Sequence, residues 1–281
     1  MFSYRHGFHA GNHADVLKHV TLVQCLAALI RKEKPIWFVD THAGAGDYAL
    51  DAGFAARSSE VDTGLGRLWA ETSGPNACVE YLDQVRTLNP GGRLIRYPGS
   101  PRLAEQMLRT QDRLRLFEAH PAEIDVLRAA FADAGRRVTV TGGDGFSGLK
   151  SVLPPPSRRA LVLIDPSYED KGDYSHVVTT MRDALRRFET GVYLIWYPRV
   201  QRREARQLPE QLQRLAAGDW LHAWLDVKTP SADRIGLHGS GVFVFNPPWQ
   251  LDRQLREALP WIKERLGQDA GAGFGQDARL T

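Results

Sequence analysis

The amino-acid sequence predicts an α/β fold built on an open, mostly parallel sheet with helices on both faces. Three observations carry this. Seven short segments are near-continuous apolar runs, the pattern of strands buried on both sides. Helical patterns separate several of them, and alternating strands and helices assemble into a parallel sheet. The last two strands are joined only by "KTPSADRIGLHGS", too short and too polar for a crossover helix, so the final strand is expected to pair antiparallel.

In chain order the strands are "IWFVDTH" (36–42), "LRLFEAH" (114–120), "RVTVTGGD" (137–144), "ALVLIDP" (160–166), "GVYLIWYP" (191–198), "LHAWLDV" (221–227) and "GVFVFNP" (241–247). Helical patterns run over 121–135, 173–188 and 204–218, with Pro209 starting or interrupting the last. A first helix is expected over 13–33, capped by Asn12, with "LVQCLAALI" as its inner face. About seventy residues separate the first two strands, more than one crossover needs. The patterns "VDTGLGRLWAET" and "ACVEYLDQVRTL" in that interval point to an inserted helical subdomain at 50–98. The tail "GQDAGAGFGQDARL" (267–280) is glycine-rich and is expected to be loosely held. The whole, 1–281, reads as one domain with an amino-terminal arm and helix over 1–35. Seven strands with an antiparallel last strand describe the class I, Rossmann-like methyltransferase sheet.

Composition narrows the classes. With 281 residues and 43% hydrophobic content, the chain can bury one large core. Its longest apolar run, nine residues, is too short to span a bilayer, and the polar, His-rich start "MFSYRHGFHAGNH" is no secretory signal. Cys25 and Cys78 form no motif, which suits a reduced, cytoplasmic protein. A net charge of +3 does not by itself signal nucleic acid. Arginines do cluster in "MRDALRRF" (181–188) and "PRVQRREARQ" (198–207), either to track phosphates or as solvated helix faces. Four histidines crowd 4–22, but no cysteine or suitably spaced acid completes a ligand set, so no metal is expected. One catalytic domain without a dimerisation signature calls for no obligate protein partner.

In an open α/β sheet, ligands bind beyond the carboxyl ends of the strands. The first four strands deliver Asp40, Glu118, Asp144-Gly145 and Asp165 to that edge. Asp40 leads into "THAGAG", and "GAGDYA" (44–49), starting at Gly44, satisfies a dinucleotide fingerprint. Asp40 argues against a nicotinamide cofactor, because a carboxylate there would repel a pyrophosphate. S-adenosylmethionine instead carries a sulfonium and an ammonium, which acids stabilise. Glu118 suits its ribose hydroxyls and Asp144 its adenine amino group.

Two strands end in an acid or amide, a proline and an aromatic ring: "LVLIDPSYED" (161–170) and "VFVFNPPWQ" (242–250). Enzymes that methylate exocyclic amino groups use such a tetrapeptide. The amine's lone pair is delocalised into the base, and two acceptors must draw its N–H groups out of plane. Asp165 and the Pro166 carbonyl supply them, while Tyr168 stacks on a flipped-out base. Asp165 also relieves positive charge developing on the amine. Asn246-Pro247-Pro248-Trp249 is the better string, but its strand lies beyond the fourth and fifth. Position therefore selects Asp165. Ser167 replaces the usual second proline and leaves loop rigidity in question.

The strings "SYRHGFHAGNHADVLKH", "DTHAGAGDY", "YPGSP", "DGF", "LVLIDPSYE" and "SGVFVFNPPW" together resemble the bacterial 23S ribosomal RNA adenine-N6 methyltransferase family, over nearly the whole chain. The resemblance implies a Rossmann-like methyltransferase with an inserted helical subdomain, S-adenosylmethionine as cofactor, and 23S rRNA as substrate before ribosome assembly. It implies that His19, His42, Ser100, Glu118, Asp144 and Gly145 contact the cofactor and that Asp165 is the catalytic acceptor. Lys18 would lie near the reaction centre, and Tyr4 and His6 of the arm would meet the RNA. Read alone, Ser100 is a helix cap ahead of Pro101 and His42 a strand-end turn residue. The family is also associated with use of external DNA. The residues leave three rival functions open: a DNA adenine methyltransferase, an inactive nucleic-acid-binding protein, and an NAD oxidoreductase.

Overall fold

The computed structural model describes residues 6–51, 60–232 and 236–280. Helix α1 (His13–Ile30) leads into β1 (Trp37–Asp40), and a two-stranded ribbon of β2 (Asp47–Ala49) and β3 (Arg96–Pro98) brackets α2 (Glu60–Thr63) and α3 (Asn76–Thr87). Then follow α4 (Ser100–Met107), β4 (Arg113–Glu118), α5 (Pro121–Ala130), β5 (Val138–Gly142), α6 (Gly145–Val152) and β6 (Ala160–Ile164). The chain continues through α7 (Gly172–Arg187), β7 (Val192–Arg199), α8 (Arg203–Leu215), β8 (Trp220–Asp226), β9 (Gly239–Phe245), α9 (Leu251–Leu266) and β10 (Gly273–Arg279).

The main sheet has the order β10-β8-β9-β7-β6-β1-β4-β5. Strands β5, β4, β1, β6 and β7 pair parallel, and β9 inserts antiparallel between β7 and β8. This is the expected Rossmann-like arrangement with one correction: the sheet has eight strands, not seven. The eighth, β10, comes from the glycine-rich tail, which pairs along its length with β8 instead of hanging loose. Gly275 lies opposite Trp224, and a Cβ there would sit 2.0 Å from the indole. The glycine that makes the tail look like a loop is what lets it pass the ring.

Two hydrophobic clusters sandwich the sheet, one shared with α1, α3, α4, α5 and α9, the other with α6, α7 and α8. Helix α1 is long and apolar enough to cross a membrane by composition, yet 78% of it is buried inside this fold. Val16, Leu17, Val20, Leu22, Val23 and Leu26 are essentially inaccessible, each worth about 1.5–3 kcal/mol of burial. Asn12 caps it as expected, its side chain accepting from the amides of Ala14 and Asp15. Tyr81, Leu82 and Val85 of α3 join the same core, so the long β1–β4 connection shares its interior with the sheet. Helix α9, absent from the expected helices, buries Leu251, Leu255, Leu259, Ile262 and Leu266 along one stripe and carries Pro260 on its exposed side. Cys25 and Cys78 are free and buried.

Gly275→Val should force the tail off Trp224. Overpacking costs ~1–3 kcal/mol, so the thermal midpoint should fall by roughly 3–10 °C in a scanning denaturation. An unchanged midpoint would show that β10 is not paired in solution.

Candidate active site

Strands β6, β1, β4 and β5 lie side by side and parallel, so Asp165, Asp40, Glu118 and Asp144 do reach one edge. They do not all reach one cavity. A cavity of about 360 Å³ at this edge is lined by Glu118 and Asp165 together with Lys18, His19, His42, Gly44 and Ser100. Asp40, Asp144 and Gly145 are not among the residues that line it. Asp40 is fully buried behind the wall, accepting from the Ser100 hydroxyl at 2.6 Å and the His42 amide at 3.2 Å. Burial lifts its pKa to about 7 against those two donors. Asp144 caps α6, accepting from the amides of Phe146 and Ser147 and the Ser147 hydroxyl. Gly145 is set by contact, since a Cβ there would lie 1.8 Å from the Thr41 carbonyl oxygen.

The remaining wall is built from strand ends and turns. Glu118 accepts from the Gly44 amide at 2.7 Å and the His120 amide at 2.6 Å, and burial raises its pKa despite them. Gly44 has φ +61°, and a Cβ there would meet the Tyr48 hydroxyl at 2.2 Å, so this turn needs glycine. The glycines open no helix. They feed β2, which removes the helix amino end a pyrophosphate would require. Ser100 is the first residue of α4, whose cap is Gly99, so its hydroxyl serves Asp40 rather than the helix end. His42 packs edge-on to Phe146 (4.8 Å), and desolvation lowers its pKa to about 4, leaving a neutral ring. His19 shares a hydrogen at 2.6 Å with the Tyr97 hydroxyl.

Lys18 occupies the centre. Its ammonium lies 2.8 Å from Asp15 and 2.6 Å from Asp165, with Lys18 and Asp15 almost fully buried. Burial alone would discharge the amine, but the two carboxylates outweigh it and raise its pKa above the lysine range. Lys18, Asp165, Ser167 and Glu169 also line a second cavity of about 400 Å³, whose far walls include Tyr168, Tyr174 and Trp196. The Lys18–Asp165 pair is thus a partition between two spaces. Among the described residues, Asp165 Oδ1 has no partner.

Tyr168 is held where the second cavity begins. Its φ of +54° is left-handed, a strained region for a tyrosine. Three hydrogen bonds fix it: its amide donates to Asp173, its carbonyl accepts from Arg202, and its hydroxyl donates to the Trp196 carbonyl at 2.7 Å. The rival tetrapeptide sits at the opposite edge of the sheet, because β9 runs antiparallel. The Asn246 side chain donates to the carbonyls of Glu189 and Gly191 beside the start of β7, and Trp249 is 84% exposed. Of the arm residues, Tyr4 lies outside the described residues and His6 begins a short 3-10 helix. His9 and Asn12 bond to Glu60 of α2. Sequence reasoning missed Asp15, Tyr174 and Trp196. The Asp15–Lys18 spacing of three on an expected helix was a usable signal, whereas the two aromatic residues carried none.

Comparison with known proteins joins this geometry to a family. Residues 33–275 match the family described as ribosomal RNA large subunit methyltransferase D, RlmJ. The chain belongs to the RlmJ family. It is 44% identical to the ribosomal RNA large subunit methyltransferase J of Escherichia coli K12, over 97% of this chain and 96% of that one. It is 43% identical to the protein of the same name from Haemophilus influenzae, over 95% and 94%. Among solved structures, protein LPL1258 of Legionella pneumophila superimposes with a TM-score of 0.88 at 32% identity, covering 96% of this chain and 98% of that one. The RlmJ-family fold and its methyltransferase class agree with the sheet order described above.

Two outcomes follow for the buried charges. The Asp40 carboxyl, with its pKa lifted from 3.8 to about 7, holds a proton in the folded state that the unfolded chain releases. Its contribution to stability should therefore decline as pH rises from about 4 to about 7 and level off above. Asp40→Asn should lack that decline, as read from urea midpoints of both proteins at pH 4.5 and 7.5; parallel profiles would refute a protonated Asp40. Lys18→Met strands the buried Asp15 and the partly buried Asp165 carboxylates and should cost about 3–5 kcal/mol. Adding Asp15→Asn should recover part of the loss in the same urea titration, and no recovery would mean that the pair is not coupled.

Proposed function

We propose that this RlmJ-family protein is an S-adenosylmethionine-dependent methyltransferase that acts in the cytoplasm on the N6 amine of an adenine in 23S rRNA, before ribosome assembly. One observation carries the reading: Asp165 stands at the junction of two cavities, where a donor on one side and an amine on the other would meet. The RlmJ match and the two curated relatives, named for the large-subunit ribosomal RNA, support RNA as the acceptor.

The first cavity fits the donor by charge. Glu118, Glu123, Asp165, Glu169, Asp170 and Asp173 line it against the single, already paired Lys18. That balance favours a sulfonium and an ammonium over phosphates. S-adenosylmethionine bound there supplies an electrophilic methyl group. Glu118 accepts from the ribose hydroxyls on the lone pairs its two amide donors leave free. His19, His42, Gly44 and Ser100 form the wall, Asp40 acts through Ser100, and Asp144 and Gly145 act by packing α6 against Thr41.

The second cavity takes the adenine. Asp165 Oδ1 and the Pro166 carbonyl accept the two N–H groups of the amine and turn its lone pair toward the first cavity. Lys18 holds Asp165 Oδ2 and so fixes the direction in which Oδ1 faces. As the amine gains a bond and positive charge, Asp165 stabilises that charge and takes the proton. Tyr168 walls the base and, with Trp196, excludes water. Tyr4 and His6 of the arm are the residues assigned to contact the RNA.

The test uses methyl-labelled S-adenosylmethionine with deproteinised 23S rRNA, intact ribosomes or unmethylated DNA, followed by nucleoside mass spectrometry. N6-methyladenosine in naked rRNA is expected; label confined to DNA would overturn the substrate, and none at all the activity. Asp165→Ala should lower kcat by ~10²–10⁴-fold while donor binding persists, and Asn246→Ala should have the smaller effect. The reverse ranking would transfer the chemistry to the other tetrapeptide.

A further inference from the structure

One face of β8 and β9 is covered by α1 and α9. On the other face a cleft of about 340 Å³ opens beside α8, lined by Arg199, Arg206, His222 and Trp224. Its floor is aromatic. Trp224 pairs in register with Gly241 of β9 and Gly275 of β10, and its indole lies over Gly275. His222 stacks on Trp224 at 4.9 Å and 27°, and Trp220 on Phe243 at 5.6 Å and 18° continues the row. His222 and Trp224 are only half-buried. Burial, aided by Arg199, lowers the His222 pKa to about 4, so it stacks as a neutral ring.

The rim carries exposed arginines at the start of α8. Elsewhere on the helices Arg187, Arg214, Arg253 and Arg256 each pair with an acid one turn away. Among the described residues, Arg202, Arg203 and Arg206 have no such partner, and all three are exposed. Arg199 is different: its guanidinium is bidentate to Asp226 at 2.6 and 2.9 Å and lies 5.8 Å from the Trp224 ring. Two acids also line the cleft: Glu210 lies one turn from Arg206 on α8 and pairs with Arg214, and Asp277 is the register partner of His222.

The cleft and the second cavity lie on opposite faces of β7, since Pro198 and Val200 line the cavity and Arg199 between them lines the cleft. The start of α8 links them around the sheet edge: Arg202, its cap, lines the cavity and Arg206, one turn on, lines the cleft. A base drawn into the cavity pulls its neighbours out of helical stacking, and they need a surface that offers stacking and phosphate contacts together. We propose that this cleft holds unpaired nucleotides flanking the target adenine of the RNA substrate, with bases on Trp224 and His222 and phosphates on Arg203 and Arg206. The inference rests on the RNA-methyltransferase reading and adds where the strand runs.

The test measures methyl transfer to deproteinised 23S rRNA, and RNA binding by filter retention, for wild type, Trp224→Ala, Trp224→Phe, Arg203→Glu/Arg206→Glu and the control Arg253→Glu on α9. Loss of one stacked base, worth ~1–3 kcal/mol, corresponds to a rise of roughly 5- to 150-fold in KM and Kd for RNA. Trp224→Ala and the double arginine variant should show that rise, with kcat falling much less and donor affinity unmoved. Trp224→Phe should restore most of the binding, and the arginine pair, being exposed, reads the surface even if Trp224→Ala misfolds. Wild-type methylation with unaltered KM and Kd in these variants would overturn the cleft alone. A wild type that neither binds nor methylates rRNA would overturn both readings. A variant changed only in oligomeric state would make the cleft a contact between copies and overturn it too.

Discussion

The buried ammonium of Lys18, between Asp15 and Asp165, ties the pieces of this molecule together. None of the three charges is cheap to bury alone, and each is tolerable only while the other two stay in place. Asp15 and Lys18 come from α1 and Asp165 from the end of β6, so the group fixes the helix over the strand-end edge. The amino end of the helix is fixed as well. Asn12 caps it and also donates to Glu60 of α2, which joins the long β1–β4 connection to the same corner. One turn after Asp15, His19 reaches the first cavity, and its partner Tyr97 comes from β3. The wall of the first cavity and the direction of the Asp165 carboxylate are thus set by one rigid unit.

Strand polarity then sets the two tetrapeptides at opposite edges of the sheet. Two tetrapeptides look alike in the sequence, and lateral position alone favoured Asp165. The antiparallel insertion of β9 gives the stronger reason, because it sends Asn246 to the edge where β7 begins. There the amide closes a turn by donating to two carbonyls. The same amide at the other edge would be an acceptor facing a base. A motif of four residues thus carries its meaning only with the direction of the strand before it.

How much was legible follows from the same physics. The parallel strands were readable within a residue or two, β1, β6 and β7 being apolar on both faces, and so was α7, whereas α1 and α8 each end three residues before the expected bound. Helix α9 was hidden by Pro260, which is tolerated because it falls on the exposed side while the apolar stripe continues beneath. Strand β10 was hidden by its glycines, of which Gly275 is a packing requirement imposed by Trp224, a residue about fifty positions away. The acids at the strand ends were legible as a set, but their division was not. Glu118 and Asp165 face a cavity, whereas Asp40 supports Ser100 and Asp144 caps a helix. That depends on side-chain direction at the last residue of a strand, which no periodicity encodes.

Ser167 raised the question of how the Asp-Pro-Ser-Tyr loop stays rigid without a second proline. A proline would act by restricting φ before the aromatic residue. Here the restriction is imposed from outside the loop. Tyr168 sits in a left-handed conformation that a free tyrosine would leave, and its amide, carbonyl and hydroxyl are each held by a different element: Asp173 of α7, Arg202 before α8, and Trp196 of β7. Three anchors from three elements over-determine the residue, so the strain persists. The Pro166 carbonyl and Asp165 are thereby bounded on one side by this anchored tyrosine and on the other by Lys18. The serine costs the loop its covalent restraint, and tertiary hydrogen bonds replace it.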